Sequence, residues 1–395
     1  DFIGTRYGGN LVRACSVFVL FIASFTYVTA QINATGTIAS RALGIPFEAG
    51  VWVGLISILI CSMLGGMRAV TWTQVAQYIV LIIAYLIPVF WISSNVGGGI
   101  FPHLMLGDEV ARLGELEQQF GLVKNSAADM KAAGVPGGLK YISGTHSGVP
   151  EGGMAVWKYL SLAICMMVGT ASLPHILMRY FTTPTVRAAR KSVAWSLFFI
   201  FLLYSSAPML ATLSKLALMD PNLPTGIIGK SISEVQSIEW VQRWSEVKQV
   251  FIADFNGDGI LQLNEWFMRG DVVVLATPEV AGLPFVISGL VFAGGMAAAM
   301  STADGLVLAI SNALSHDIYY KIINPKAETA KRLLVARTLL VIIGAAGAYI
   351  ASFRLTSILG SVAWAFDFAM SGLFFPLVLG VWWKRANKEG AIAGM

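Results

Sequence analysis

Charge is what this sequence has least of. Asp, Glu, Lys and Arg make up only 12% of its 395 residues, against about 25% in an ordinary soluble domain. That balance excludes a water-soluble globular protein. The four histidines, His103, His146, His175 and His316, show no metal-ligand spacing, which excludes the common zinc-enzyme patterns. The three cysteines, Cys15, Cys61 and Cys165, all sit in apolar stretches and support neither a disulfide framework nor a zinc motif. No phosphate-cradling glycine loop of the Walker type is present, so nothing points to ATP-driven work. No catalytic constellation is visible, and the expectation is a protein that is not an enzyme. The net charge of +5 reads through its placement along the chain, with no nucleic-acid partner implied.

What is there is apolar length. Hydrophobic residues make up 56% of the chain, and the mean hydropathy is +0.70. About 20 apolar residues cross a bilayer as a helix. Eight segments meet that length, at 11–40, 47–65, 72–95, 154–178, 189–216, 281–315, 332–352 and 355–383. The fold class is therefore an all-α polytopic membrane protein whose main partner is the lipid bilayer. Basic residues recur at Arg6 and Arg13, Arg68, Arg179 to Lys191, Lys321 to Arg332, and Lys384 to Lys388. All five groups share one side if the spans alternate, which makes that side cytoplasmic. The long loops 96–153 and 217–280 then lie outside, and 384–395 is a cytoplasmic loop with the start of a further helix. The chain opens at Asp1 and stops at Met395 as a new apolar stretch begins, which reads as a piece of a longer protein.

The stretch 281–317, AGLPFVISGLVFAGGMAAAMSTADGLVLAISNALSHD, carries polar groups at membrane depth. Ala298, Ser301, Thr302, Gly305 and Ala309 share one helix face. Two hydroxyls and a nearby backbone carbonyl are hard oxygen ligands suited to sodium. The same small residues also suit a close helix contact, and the spacing alone leaves both open. Asp304 and Asp367 lie inside spans, where a carboxylate is costly unless paired or facing water. With Gln74 they make a candidate ion route, and Asp367 reads equally as a structural partner.

In the fourth span, Gly169, Thr170, Ser172, Pro174 and His175 interrupt an apolar helix. Proline removes a backbone donor and clashes with the preceding turn. Interrupted helices expose backbone that is tolerable only against protein or a water-filled cavity, and they mark substrate sites in many secondary transporters. A second motif lies in the outer loop, DFNGDGILQLNE at 254–265. Asp254, Asn256, Asp258, the Ile260 carbonyl and Glu265 occupy positions 1, 3, 5, 7 and 12 of an EF-hand-like calcium loop, with Gly259 at 6 and Leu261 at 8. The competing reading is a solvated acidic turn that binds no ion.

The segments GGMRAVTWTQVAQ at 65–77, MVGTASLPHILMRYFTTP at 167–184, AAAMSTADGLVLAISNALSHDIYY at 297–320 and GVWWKRANKEGAIAG at 380–394 together resemble the sodium/solute symporter family. The resemblance runs over nearly the whole chain, and GTASLPH and STADGLVLAISNALSHD are most similar to its bacterial acetate-permease branch. It implies the inverted-repeat fold of the leucine-transporter type. Residues 1–95 would be the last three helices of the first repeat, and 154–383 the second five-helix repeat. It implies sodium at Ala298, Ser301 and Thr302, a substrate cavity walled by Met166, Gly169, Thr170, Ser172 and Pro174, and a place in the bacterial inner membrane. The implied activity is sodium-coupled symport of a small monocarboxylate such as acetate, by alternating access. Sugar-transporting members have an acid where this chain has Gln74 and polar residues at the broken segment, which argues against a hexose. Other readings that the sequence leaves open are a proline-like amino-acid symporter, the membrane sensor domain of a histidine kinase, and coupling to protons through Asp304 or Asp367.

Overall fold

The structure is a computed structural model and describes residues 2–96, 99, 101–120, 127–135, 140–141, 153–180, 182–355 and 357–395. In the outer loop 96–153 the described residues form a helix at Pro102–Phe120, a short helix at Ala127–Ala132 and a two-residue strand at Lys140–Tyr141.

The chain is a multi-pass membrane protein, and each of the eight apolar segments is helical. Among the described residues, six helices are long and apolar enough to cross a membrane: Asn10–Leu43, Ala69–Val96, Val186–Met219, Phe285–Ile323, Thr329–Ser352 and Ile358–Trp382. The fourth segment is a bent pair, Val156–Ser172 and Pro174–Tyr180, turned by 42°. The second, Phe47–Met63, is shorter than a full span. The helix beginning at Phe47 is interrupted at Gly66, whose φ of 55° and ψ of −162° break the helix where only glycine is at ease. The sixth segment runs beyond its expected end because its last turns widen into a π-helix at Ala313–Ile323.

The packing rule is smallness. In lipid there is no hydrophobic drive between helices, so close van der Waals contact has to hold them. A Cβ at Gly50 would come within 2.6 Å of the Gly36 carbonyl oxygen, and one at Gly54 within 2.2 Å of Thr35 Oγ1. A Cβ at Gly294 would meet the Ala84 Cβ at 2.5 Å. The 285–312 helix thus lies directly against the 10–43 and 69–96 helices. Large apolar side chains such as Phe285, Trp382 and Phe201 remain exposed on the surface that lipid covers.

The outer loop 217–280 is folded. Short helices at Ile232–Ser237 and Glu239–Glu246 stand beside a small antiparallel sheet ordered 140–141, 266–268, 250–252. Trp244, Trp266, Leu261 and Val235 are fully buried in its core. Glu279, on the helix Val273–Val280, fastens this cap to the bundle. Its carboxylate accepts from Arg41 at 2.7 Å and from the Trp244 indole at 2.6 Å, and the Arg41 guanidinium lies 5.1 Å from the Trp244 ring centroid.

Removing one partner of a buried ion pair costs about 3–5 kcal/mol, because the other is left uncompensated. Glu279→Ala is expected to lower the thermal midpoint of the detergent-solubilised protein by several degrees and to open the 220–270 segment to protease. An unchanged midpoint and digestion pattern would show that the cap is held by its apolar core alone.

Candidate functional site

The Ala298, Ser301 and Thr302 oxygens stand together on the 285–312 helix. Ser301 Oγ donates to the Ala298 carbonyl at 2.9 Å and Thr302 Oγ1 donates to the same oxygen at 3.3 Å. Ala298 lines a cavity of about 300 Å³ with Ala84, Tyr85, Tyr204, Ala207 and Gly294 among its other walls. Neither hydroxyl is fully buried. The helix therefore brings three oxygens together within one turn, next to the space that Ala298 lines.

The broken span has a clear local cause. Leu173 stands between the two helices, and Pro174 opens the second, where the first-turn position has no use for the missing N–H. Carbonyls left over at the end of the first helix are met by Ser172, whose hydroxyl donates to the Gly169 carbonyl at 2.9 Å. The five residues read as a cavity wall are dispersed around this break. Gly169 is pressed against the 358–369 helix, where a Cβ would meet the Phe366 carbonyl oxygen at 2.8 Å. Thr170 is exposed and returns its hydroxyl to the Met166 carbonyl. Met166 is half-buried. Ser172 and Pro174 line a separate cavity of about 610 Å³, with Thr5, Ser16, Leu20 and Asp317. The 300 Å³ space beside Ala298 has none of the five among its lining residues.

The candidate ion route separates as well. Asp304 is fully buried and points to the second segment, where Ser62 Oγ donates to its Oδ1 at 2.9 Å. Asp367 is exposed, beside the Cys165 thiol. Gln74 alone touches the oxygen-bearing face, its Nε2 donating to the Ser301 carbonyl at 2.5 Å. Its Oε1 accepts from the Arg179 guanidinium. Arg179 is the residue that sequence reasoning missed at this site. It counted only as one cytoplasmic positive charge, and its partner lies 105 positions away.

The 254–265 loop is closed by its own backbone. Asp254 accepts from the Gly257 and Gly259 amides at 2.7 and 3.1 Å. Asp258 accepts from the Ile260 amide at 2.8 Å, which holds its carboxyl below the usual carboxylate range. Glu265 is buried and accepts from the Phe255 and Gln262 amides, both at 2.9 Å. Among the described residues, no three His, Cys, Asp or Glu side chains converge as a metal-holding group.

The model of the sodium:solute symporter family matches residues 1–232 and 272–395, and the chain belongs to that family. It is 38% identical to an uncharacterized symporter of Cupriavidus necator, over all of this chain and 69% of that protein. It is 25% identical to a monocarboxylic acid transporter of Corynebacterium glutamicum, over all of this chain and 63% of the relative. The chain thus spans roughly two thirds of the length of these relatives. Among solved structures, a Na+-coupled sialic acid symporter in a substrate-bound outward-open state matches with a TM-score of 0.64 at 15% identity, over 99% of this chain and 67% of that one. The fold is the inverted-repeat, leucine-transporter type that the sequence resemblance implied. The segment between the two matched blocks, 233–271, contains the whole 254–265 loop.

Glu265→Ala leaves two amides without their acceptor, at a cost of about 1–3 kcal/mol for each buried one. The variant is expected to show early cleavage between 250 and 268 in limited proteolysis, with or without added metal. Resistance equal to the parent would mean that Glu265 is dispensable to the loop.

Proposed function

We propose that this family member carries out sodium-coupled symport of a small monocarboxylate, acetate being the first to test, by alternating access. The observation that carries the reading is the meeting of the Ala298 carbonyl with the Ser301 and Thr302 hydroxyls beside a cavity. Three hard oxygens with no carboxylate among them suit a monovalent cation. Sodium, as cargo, would bind there and favour the state open to the outside. An inward sodium step is worth ~2.3 kcal/mol per charge for each 100 mV crossed, which can drive uptake of an anion against its own gradient. Two things favour a short acid: the scarcity of polar side chains along the 300 Å³ cavity, and the likeness to a monocarboxylic acid transporter.

In this reading the 10–43, 47–63 and 69–96 helices close the first repeat. The bent pair and the four spans after it form the second. Met166, Gly169, Thr170, Ser172 and Pro174 contribute the hinge of the broken helix, with Ser172 and Pro174 bordering the separate 610 Å³ cavity. Asp304 and Asp367 act as structural partners, and Gln74 belongs to the sodium-site helix contact.

The decisive measurement is uptake of labelled acetate, pyruvate and proline by the full chain in proteoliposomes, with and without an inward sodium gradient. Sodium-driven uptake of acetate or pyruvate is expected. Uptake that follows a pH gradient and ignores sodium would sink the reading. Thr302→Ala removes one ligand and is expected to raise the sodium concentration for half-maximal uptake about tenfold, the equivalent of ~1.4 kcal/mol. Unchanged sodium activation would remove Thr302 from the site.

For the outer loop, we propose structural calcium held by Asp254, Asn256, Asp258, the Ile260 carbonyl and Glu265. The support is the position-by-position sequence pattern, and Asp254 and Glu265 are already oriented by backbone donors. Affinity in the roughly 10⁻⁴–10⁻³ M range of extracellular modules is expected. Millimolar calcium should raise the thermal midpoint of the parent and leave Asp258→Asn unmoved. The absence of any calcium shift in the parent would leave the loop as an acidic turn.

A further inference from the structure

Arg179 sits on the short helix after the break, Pro174–Tyr180, at the end that the distribution of Lys and Arg places in the cytoplasm. It does not point into solvent. Its Nε donates to the His175 carbonyl at 3.3 Å, and its Nη1 donates to Gln74 Oε1. Its Nη2 lies over Gly305, where a Cβ would be 3.0 Å away. Gln74 passes the contact on, its Nε2 donating to the Ser301 carbonyl. Among the described residues no carboxylate pairs with Arg179, and its hydrogen-bond acceptors are neutral. A guanidinium at the inner end of a span with only neutral partners is expensive. A leucine and a methionine would fill the same space at lower cost, so packing does not account for the arrangement.

Position does account for it. Gly305 follows Ser301 by four residues, about 6 Å along the axis. The two belong to the face that also holds Ala298 and Thr302. The guanidinium therefore stands directly on the cytoplasmic side of the three oxygens, as a cation fixed to the protein. A free cation among those oxygens meets a like charge on that side and open space on the other.

We propose that Arg179, docked through Gln74 onto the bare helix surface at Gly305, is the inner gate of the cation site. With the contact made, the cation has no inward path. Release to the cytoplasm requires the short helix to swing about Leu173 and Pro174 and carry Arg179 off Gln74. The amide suits this work: a carboxylate at position 74 would hold Arg179 as an ion pair and give the Ser301 carbonyl no donor. The proposal rests on the sodium reading given above and adds the residues that keep entry and exit from being open together.

The test uses the full chain in proteoliposomes and measures labelled sodium influx in the absence of organic solute, alongside sodium-dependent solute uptake. Gln74→Leu and Arg179→Met are expected to raise solute-independent sodium influx severalfold and to lower the solute carried per sodium. Arg179→Lys, which keeps the charge, should return the leak towards that of the parent. Gly305→Ala, a single methyl beneath the guanidinium, is the variant least able to unfold the protein and should leak as well. Sodium-dependent uptake in the parent with no added leak in Gly305→Ala or in a folded Gln74→Leu overturns the gate and leaves the symport reading intact. A parent whose uptake ignores sodium overturns both.

Discussion

Two helices can approach as closely as the 285–312 and 69–96 helices do only if the contact carries almost no side chain. Gly294 against Ala84 supplies that condition on one flank of the central helix. Gly295, whose Cβ would stand 3.1 Å from Ile38, supplies it on another. Surrounding hydrocarbon is as apolar as any leucine, so bulk on this helix would gain nothing by burial between its neighbours. The same economy of side chain brings function to the backbone. With alanine and glycine around it, the Ala298 carbonyl is reachable from the cavity, and with glycine at 305 a guanidinium can lie flat on the helix.

Breaks in the helices obey a second constraint, that backbone polar groups at membrane depth have to find partners within the protein. The two breaks satisfy it differently. At Gly66 the chain turns with a left-handed residue between two helices. At Leu173 the chain loses one donor to Pro174 and recovers an acceptor's partner through Ser172. The first is a corner between fixed elements. The second leaves a seven-residue helix, Pro174–Tyr180, attached to the preceding helix by a single residue, with its far end fastened by Arg179.

Much of this was legible in the sequence. Every apolar segment became a helix, the proline break fell where proline chemistry puts it, and the oxygen-bearing face followed from i, i+3, i+4 spacing. The end of the sixth segment was not, because a stretch of π-helix changes local geometry without changing hydropathy. The grouping of the site failed for a different reason. Gly169 and Ser172 are buried on one side of their helix while Thr170 between them is exposed, and Asp304 turns towards Ser62, 242 positions away. Gln74 reads as part of an ion route and Arg179 only as a cytoplasmic charge, and their meeting across 105 positions has no local signal. The small sheet in the outer cap was also hidden, since its strands are two or three residues long and carry no periodic signal.

The attachment of the outer cap bears on how such a chain can be diversified. Of the three residues in the bracket, Arg41 and Glu279 lie within the blocks shared with the family, whereas Trp244 lies in the intervening segment. The added module is therefore not a pendant on a tether. It contributes one indole to a clasp whose other two members are Arg41 on the 10–43 helix and Glu279 on the short 273–280 helix. Grafting this cassette onto a relative requires an acid and an arginine already facing each other at the recipient's outer rim. A lineage lacking that pair would have to acquire it before the insert could become anything more than a loose appendage.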